Sequence, residues 1–257
     1  MLQVFTLFSG SSGNAVLVKY GADAILIDAG GSARRVTAAL ASLGVSPDAV
    51  RAIFVTHGHS DHTAALAVFC KKHPVSIYLT NGAAKYLPDA VRPLVQERVP
   101  CFREVVGKMQ VQSFSTPHDS DMSVGYVITT PDGKVGVVTD LGYVSPEVAA
   151  AVAGCDAVVL EANHDEDMLR YGPYPTPLKR RIFSTLGHLS NSQSAAFARA
   201  LADGGTRKFL LAHLSEENNT PALAVQAVED ALCGTGATCM VAARFTPTCL
   251  IGGESVC

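Results

Sequence analysis

A layered α/β sandwich is the fold class that this sequence predicts, and three observations predict it. Short β-like runs fall into two groups, with helix-like segments interleaved. Several of those runs end directly in an acidic or imidazole side chain: His118 after 111–114, Asp140 after 135–138, Glu161 after 157–160 and His213 after 209–211. Strand ends converge on one edge of a sheet, where α/β folds commonly keep their active-site groups. Finally, 257 residues with 48% hydrophobic content can bury a large core, and α/β chains of this length often form one domain. No internal repeat or low-complexity linker interrupts the chain, so residues 1–257 read as a single domain. Composition alone does not separate a sandwich from a doubly wound sheet; the ligand pattern does.

Taken in order, runs at 4–8 and 15–19 are β-like and are joined by Ser9-Gly10-Ser11-Ser12-Gly13-Asn14, which is turn chemistry throughout. A third run, 24–27, ends in Asp28-Ala29-Gly30-Gly31. Ser32 is suited to cap a helix carrying Val36, Leu40 and Leu43 at helical spacing, closed by Gly44. Ser46-Pro47-Asp48 starts a short turn or helix before a strand at 52–55, and 64–72 is helix-like. A strand at 76–79 and a short helix at 82–86 follow. The stretch 88–100 is expected to be irregular and exposed. Strands are expected at 105–106 and 109–114, then at 124–129 and 134–139 around the hairpin turn Pro131-Asp132-Gly133. The continuous apolar run 157–161 suits a buried strand. Residues 163–184, rich in Pro, Tyr and Arg, should be the least regular part. Helices at 191–203 and 220–232 and strands at 208–212, 240–243 and 249–251 complete the chain.

A net charge of −3 gives no global basic field, which weighs against a DNA coat protein but not against an enzyme whose metals face a phosphate. Seven cysteines without a CxxC pair read as reduced thiols of a cytosolic protein. The N-terminus lacks a basic region and a long apolar stretch and looks like a first strand, not a signal peptide. No apolar run reaches the ~18 residues of a membrane span. The expectation is a soluble, cytoplasmic protein with no membrane partner; the oligomeric state stays open.

The chemistry concentrates in Thr56-His57-Gly58-His59-Ser60-Asp61-His62-Thr63, at a strand-to-helix turn. His57 and His59, two apart in extended chain, leave the same face. Asp61 and His62 follow the bend and can reach a second centre. Imidazole and carboxylate together suit zinc, manganese or iron. With His118, Asp140 and His213 there are enough N and O ligands for two divalent ions.

The order HxHxDH, His118, Asp140, His213 resembles the metallo-β-lactamase superfamily, over nearly the whole chain. The resemblance implies a four-layer αββα sandwich with a dinuclear site on the sheet edges. It implies that His57, His59 and His118 hold one metal, that Asp61, His62 and His213 hold the other, and that Asp140 bridges them. The nucleophile would be a water or hydroxide between two cations. An aspartate at the bridging position resembles the glyoxalase II and phosphodiesterase branches more than true β-lactamases. His188, in Gly187-His188-Leu189-Ser190-Asn191, resembles the extra histidine of related nucleases that meets phosphate or protonates the leaving group, and Glu161 resembles the acid that orients it. Asp61, His188 and Glu161 are thus the catalytic candidates. Four segments are similar to the YycJ (WalJ) subgroup: the 9–14 turn, Leu160-Glu161-Ala162-Asn163-His164-Asp165, the 187–191 stretch and His213-Leu214-Ser215-Glu216-Glu217-Asn218-Asn219. This implies a bacterial, metal-dependent exonuclease acting on DNA from the 5′ end. The interval from Asp140 to His213 is too short for a β-CASP cassette, and no basic Gly/Pro-rich arm is present, which counts against RNA processing.

Substrate contacts are expected from several places. Backbone N–H groups around Ser11, Ser12 and Asn14 could hold a phosphate, or the turn serves only its backbone angles. His164 either faces the site and binds phosphate or caps the loop that follows. Lys179 and Arg180, with Arg170, Tyr171, Tyr174 and Arg181, form either a DNA-backbone patch or a solvated face. A small-molecule hydrolase acting on a cyclic phosphodiester or thioester, or a non-catalytic regulatory protein, are the alternatives. A narrow pocket without basic residues would favour the small molecule; a groove flanked by 170–181 would favour nucleic acid.

Overall fold

The computed structural model describes residues 1–252; Cys257 lies outside them. In chain order the strands are β1 (Leu2–Phe8), β2 (Ala15–Tyr20), β3 (Asp23–Ile27), β4 (Val50–Phe54), β5 (Ser76–Thr80), β6 (Val95–Arg98), β7 (Arg103–Val106), β8 (Met109–Ser115), β9 (Val124–Thr130), β10 (Gly133–Val138), β11 (Ala157–Glu161), β12 (Lys208–Ala212), β13 (Thr238–Val241) and β14 (Thr248–Ile251). The helices are α1 (Ala33–Ser42), α2 (Ser60–Thr63), α3 (Leu66–Lys72), α4 (Asn81–Ala84), α5 (Pro146–Val152), α6 (Glu166–Tyr171), α7 (Thr176–Ile182), α8 (Asn191–Asp203) and α9 (Pro221–Leu232).

Two mixed sheets form, ordered β14-β1-β2-β3-β4-β5-β6 and β13-β12-β11-β10-β9-β8-β7. In each, antiparallel hairpins give way to parallel crossovers: β3 to β6 run parallel in the first and β10 to β13 in the second. Alternation along the strands makes three apolar layers. Val4, Val18, Ile25 and Phe54 meet Val111, Tyr126, Val137 and Leu210 between the sheets. Leu17, Leu26 and Ile53 face outward onto Val36, Leu40 and Phe69 of α1 and α3. Val138, Val158 and Leu211 do the same for Val148, Phe197 and Val228 of α5, α8 and α9. Strands buried on both faces read as continuous apolar runs, as 157–160 does. The expected αββα sandwich is the observed one.

Several expectations need correction. Residues 88–100 are not irregular: a 3-10 turn at Asp89–Leu94 leads into β6, which pairs with β5. Edge strands carry polar side chains and pair on one side only, so Gln96-Glu97-Arg98 left little signal. Residues 163–184 contain α6 and α7. Asp165 caps α6 by accepting from Asp167 N and Met168 N, and Pro177 sits in the first turn of α7, where its missing N–H costs nothing. The helix expected at 64–72 begins only at Leu66: α2 and α3 flank a break at Ala64 and Ala65. Helix α5, capped by Ser145 with Pro146 behind it, was not foreseen.

Candidate metal centre

Apart from His188, which lies in the loop between α7 and α8, the residues of the candidate site sit where strands end. β3 delivers Asp28, β4 the His-rich turn, β8 the loop holding His118, β10 Asp140, β11 Glu161 and β12 His213. Asp28, Asp140 and His213 each follow a straight apolar strand and turn into the left-handed region, with φ of 63°, 60° and 58°. Non-glycine residues hold that conformation only where the surroundings enforce it, and such sites cluster at functional centres. The 9–14 turn presses against the His-rich turn: Asn14 N donates to Asp61 O at 2.8 Å and Gly30 N to Asn14 O at 2.9 Å. A Cβ on Gly30 would stand 1.7 Å from Asp61 O, so only glycine fits there.

Hydrogen bonds fix how the imidazoles point. Thr56 Oγ1 lies 2.9 Å from Asp28 Oδ2 and 2.9 Å from His57 Nδ1. A carboxylate only accepts, so the hydroxyl donates to Asp28 and accepts from His57 Nδ1–H, leaving His57 Nε2 with a free lone pair. His62 Nδ1 donates to Asp28 Oδ2 at 2.8 Å, His118 Nδ1 to Gly187 O at 3.2 Å and His213 Nδ1 to Glu161 Oε1 at 3.0 Å. Each arrangement turns an unprotonated Nε2 inward, as metal-ligating histidines backed by carboxylates or carbonyls do. His57 Nε2 and His59 Nδ1 then face each other at 3.0 Å.

The ligand atoms of His57, His59 and His118 converge within 4.8 Å of one another, and those of Asp61, His62 and His213 do the same. Asp140 lies between: Oδ2 is 3.3 Å from His62 Nε2 and Oδ1 is 4.0 Å from His118 Nε2. His118 Nε2, His213 Nε2 and Asp140 Oδ2 are buried without any hydrogen-bond partner, an arrangement that buried polar atoms avoid and that a cation satisfies. Charge agrees. Burial disfavours a proton on His213, but Asp140, Asp61 and Glu161 outweigh it and push its pKa up to about 10. Burial likewise opposes charge on His62, while Asp140, Asp28 and Asp61 hold it well above the usual imidazole range. Divalent cations would supply the same countercharge and displace those protons. The donor set fits divalent metal.

A further grouping of Asp140, Glu161, His188 and His213 is also within ligand distance, but Glu161 is spoken for. Its Oε2 accepts from Leu141 N and Leu189 N at 3.2 and 3.0 Å, and its Oε1 faces both His188 Nδ1 at 2.9 Å and His213 Nδ1 at 3.0 Å. These contacts outweigh the burial of this carboxylate and lower its pKa to about 2. The His188–Glu161 pairing expected from sequence is present.

A cleft of about 470 Å³ opens over the centre, lined by His59, Asp61, Asp140, His188 and His213 on its floor and by Ser11, Tyr174, Leu178, Arg181 and Ile182 on its walls. Other expected contacts fall elsewhere. Asn14 is buried behind the ligands, its Nδ2 donating to Asp61 Oδ2 at 3.2 Å and to Gly10 O at 3.1 Å. Of the two serines of the turn, Ser11 lines the cleft and Ser12, also exposed, does not. Lys179 turns away to donate to Arg170 O, and Arg180 does not line the cleft; Arg181 does, paired with Asp119. A seven-residue helix shows its successive residues to different sides, so one of the three cations faces inward. His164 lies outside this cleft, in a side cavity. Sequence reading missed Asp28 and Thr56, although Asp28 shows the same signal as its partners: a carboxylate directly after an apolar strand.

The model of the metallo-beta-lactamase superfamily matches residues 9–213, and the chain belongs to that superfamily. It is a metal-dependent hydrolase of this fold. Among its relatives, it is 37% identical to exodeoxyribonuclease WalJ of Streptococcus pneumoniae over 227 residues, 85% of this chain and 83% of the other. It is 32% identical to exodeoxyribonuclease YycJ of Bacillus anthracis over 235 residues, covering 90% and 89%. The fold is shared with YhfI of Bacillus subtilis, at a TM-score of 0.72 and 16% identity over 96% of this chain and 99% of that one. Among the described residues no helix is long and apolar enough to cross a membrane.

Proposed function

We propose that this chain is a dinuclear phosphodiesterase, and within that class a cytoplasmic DNA exonuclease working from the 5′ end. His57, His59 and His118 would hold one divalent ion, Asp61, His62 and His213 the other, with Asp140 shared; zinc, manganese and iron all suit these ligands. When bound, the pair supplies Lewis-acid activation of water and stabilises charge on the phosphoryl oxygens.

The observation that carries the reading is the Glu161–His188 pair at the cleft. Glu161 fixes His188 through Nδ1 at 2.9 Å, leaving Nε2 on the far side of the ring for substrate. Acting as an imidazolium, His188 passes its Nε2 proton to the departing sugar oxygen as the P–O bond breaks, which leaves a neutral ring whose Nδ1–H still donates to Glu161. Such general acid help contributes about 10²–10⁴-fold. Arg181 in the cleft wall offers a forked donor to the phosphate backbone, and Tyr174 beside it offers a face to a base. A cleft flanked by 174–182 and carrying a cation supports nucleic acid over a small phosphodiester. The relatives named exodeoxyribonuclease support DNA as the polymer.

The test is metal-free protein reconstituted separately with zinc, manganese and iron, then given 5′-end-labelled DNA, the matching RNA and bis(p-nitrophenyl) phosphate. Labelled mononucleotides released first from DNA are expected. Turnover of the nitrophenyl ester alone would sink the nuclease reading and keep only the phosphodiesterase.

A further inference from the structure

Beside the cleft, and sharing His188 with it, lies a second cavity of about 220 Å³ lined by His164, Glu166, Phe183, His188, Ser190 and Gln193. His164 is 1% exposed, yet neither ring nitrogen has a hydrogen-bond partner. Buried polar atoms are rarely left so. Burial lowers its pKa to about 4, so the neutral ring offers one donor and one acceptor. Glu166 accepts from Ser190 Oγ at 2.6 Å and Ser192 Oγ at 3.1 Å, and a carboxylate retains further lone pairs. Gln193 spends its carbonyl oxygen on Ser190 N, leaving its amide N–H groups. Phe183 packs edge-on to His164 at 5.3 Å between ring centroids and is 45% exposed.

A phosphate is the wrong guest, because it only accepts hydrogen bonds and Glu166 repels it. A neutral planar group with both donors and acceptors matches the lining, and the exposed aromatic gives it a surface to stack on. We infer that this cavity is a nucleobase subsite: it takes the base of the nucleotide whose sugar oxygen departs at His188, with Phe183 as stacking face and His164, Glu166 and Gln193 as polar readers. This deepens the nuclease reading and rests on it. His188, common to both cavities, then stands between base and scissile phosphate, so seating the base brings the leaving oxygen to the proton donor.

The experiment compares the reconstituted enzyme on 5′-labelled DNA carrying an abasic residue at the first or the second position with intact DNA. An abasic residue at one of these positions should lower kcat/KM about tenfold or more, the usual scale for a lost base–aromatic stack. Phe183→Ala, an exposed position, should pull the intact-to-abasic ratio toward one, and Glu166→Gln should change which terminal bases are preferred. Wild-type ratios near one at both positions, or a ratio unchanged in Phe183→Ala, would overturn the subsite. Should the enzyme hydrolyse bis(p-nitrophenyl) phosphate but no DNA, the nuclease reading fails separately, and phosphate-free adenosine and cytidine decide the cavity. Competition with the ester in wild type but not in Phe183→Ala upholds a base site; no competition removes it.

Discussion

The His-rich turn and the cleft wall at 174–188 are built on opposite terms. His57 and His62 are fully buried, and their Nδ1 atoms are held by Thr56 and Asp28. In the wall, Arg181, Phe183 and Leu186 are exposed, and the main tie from Arg181 is to one acid, Asp119. Rigid ligands suit a centre whose geometry must not vary; an exposed wall of mixed polarity suits a polymer whose sequence does. The difference sets a locally encoded, over-determined turn, whose side chains fit metal, against an exposed segment assembled late along the chain, which under the proposed function would meet the substrate.

That division can be broken from either side. Asp140→Asn keeps shape and tolerates the left-handed backbone, yet removes the carboxylate charge that lies between His62 and His118. Activity should be almost wholly lost with the circular dichroism spectrum unchanged, and wild-type turnover would refute the centre. Asp28→Asn touches no candidate ligand atom directed at metal but weakens the anchor of His62. Metal affinity should fall about 10–100-fold, the usual cost of losing such a supporting group; competition titration against a chelating dye measures it, and unchanged affinity would make Asp28 a purely structural acid. Arg181→Gln should leave metal affinity alone and lower the slope of log K for DNA against log salt by about one. If Lys179→Gln lowers the slope and Arg181→Gln does not, the wall has been oriented wrongly.

The centre was far more legible in the sequence than the wall. Its residues announce themselves locally, as imidazole or carboxylate directly after an apolar strand, and a strand end has few places to go but the sheet edge. Asp28 obeys the same rule, but Gly30-Gly31 just behind it gives the stretch the composition of a turn. The wall hid for physical reasons. Pro175 and Pro177 read as breakers where they open a helix, and Lys179-Arg180-Arg181 carries no signal for which cation faces inward; that depends on how α7 lies against Asp119, 62 residues upstream of Arg181. Asn14 misled in the other direction: a polar turn residue looked like a substrate contact and proved to be a brace under Asp61. Strand β6 was lost because an edge strand has only one neighbour to declare it.

The backbone N–H of His213 donates to Ser9 Oγ at 2.7 Å, and its carbonyl accepts from Asn163 Nδ2 at 2.8 Å. During synthesis, His57, His59 and His118 all leave the ribosome long before this contact can close. The side chains of the first group are thus made early, although the anchor of His118 at Gly187 O comes later, and the group of Asp61, His62 and His213 waits until β12 lies beside β11 and the first turn. Closure of that second group is in effect a report that residues 9 and 213, 204 positions apart, have met, and under the proposed function a chain that has not reached this point has an incomplete site.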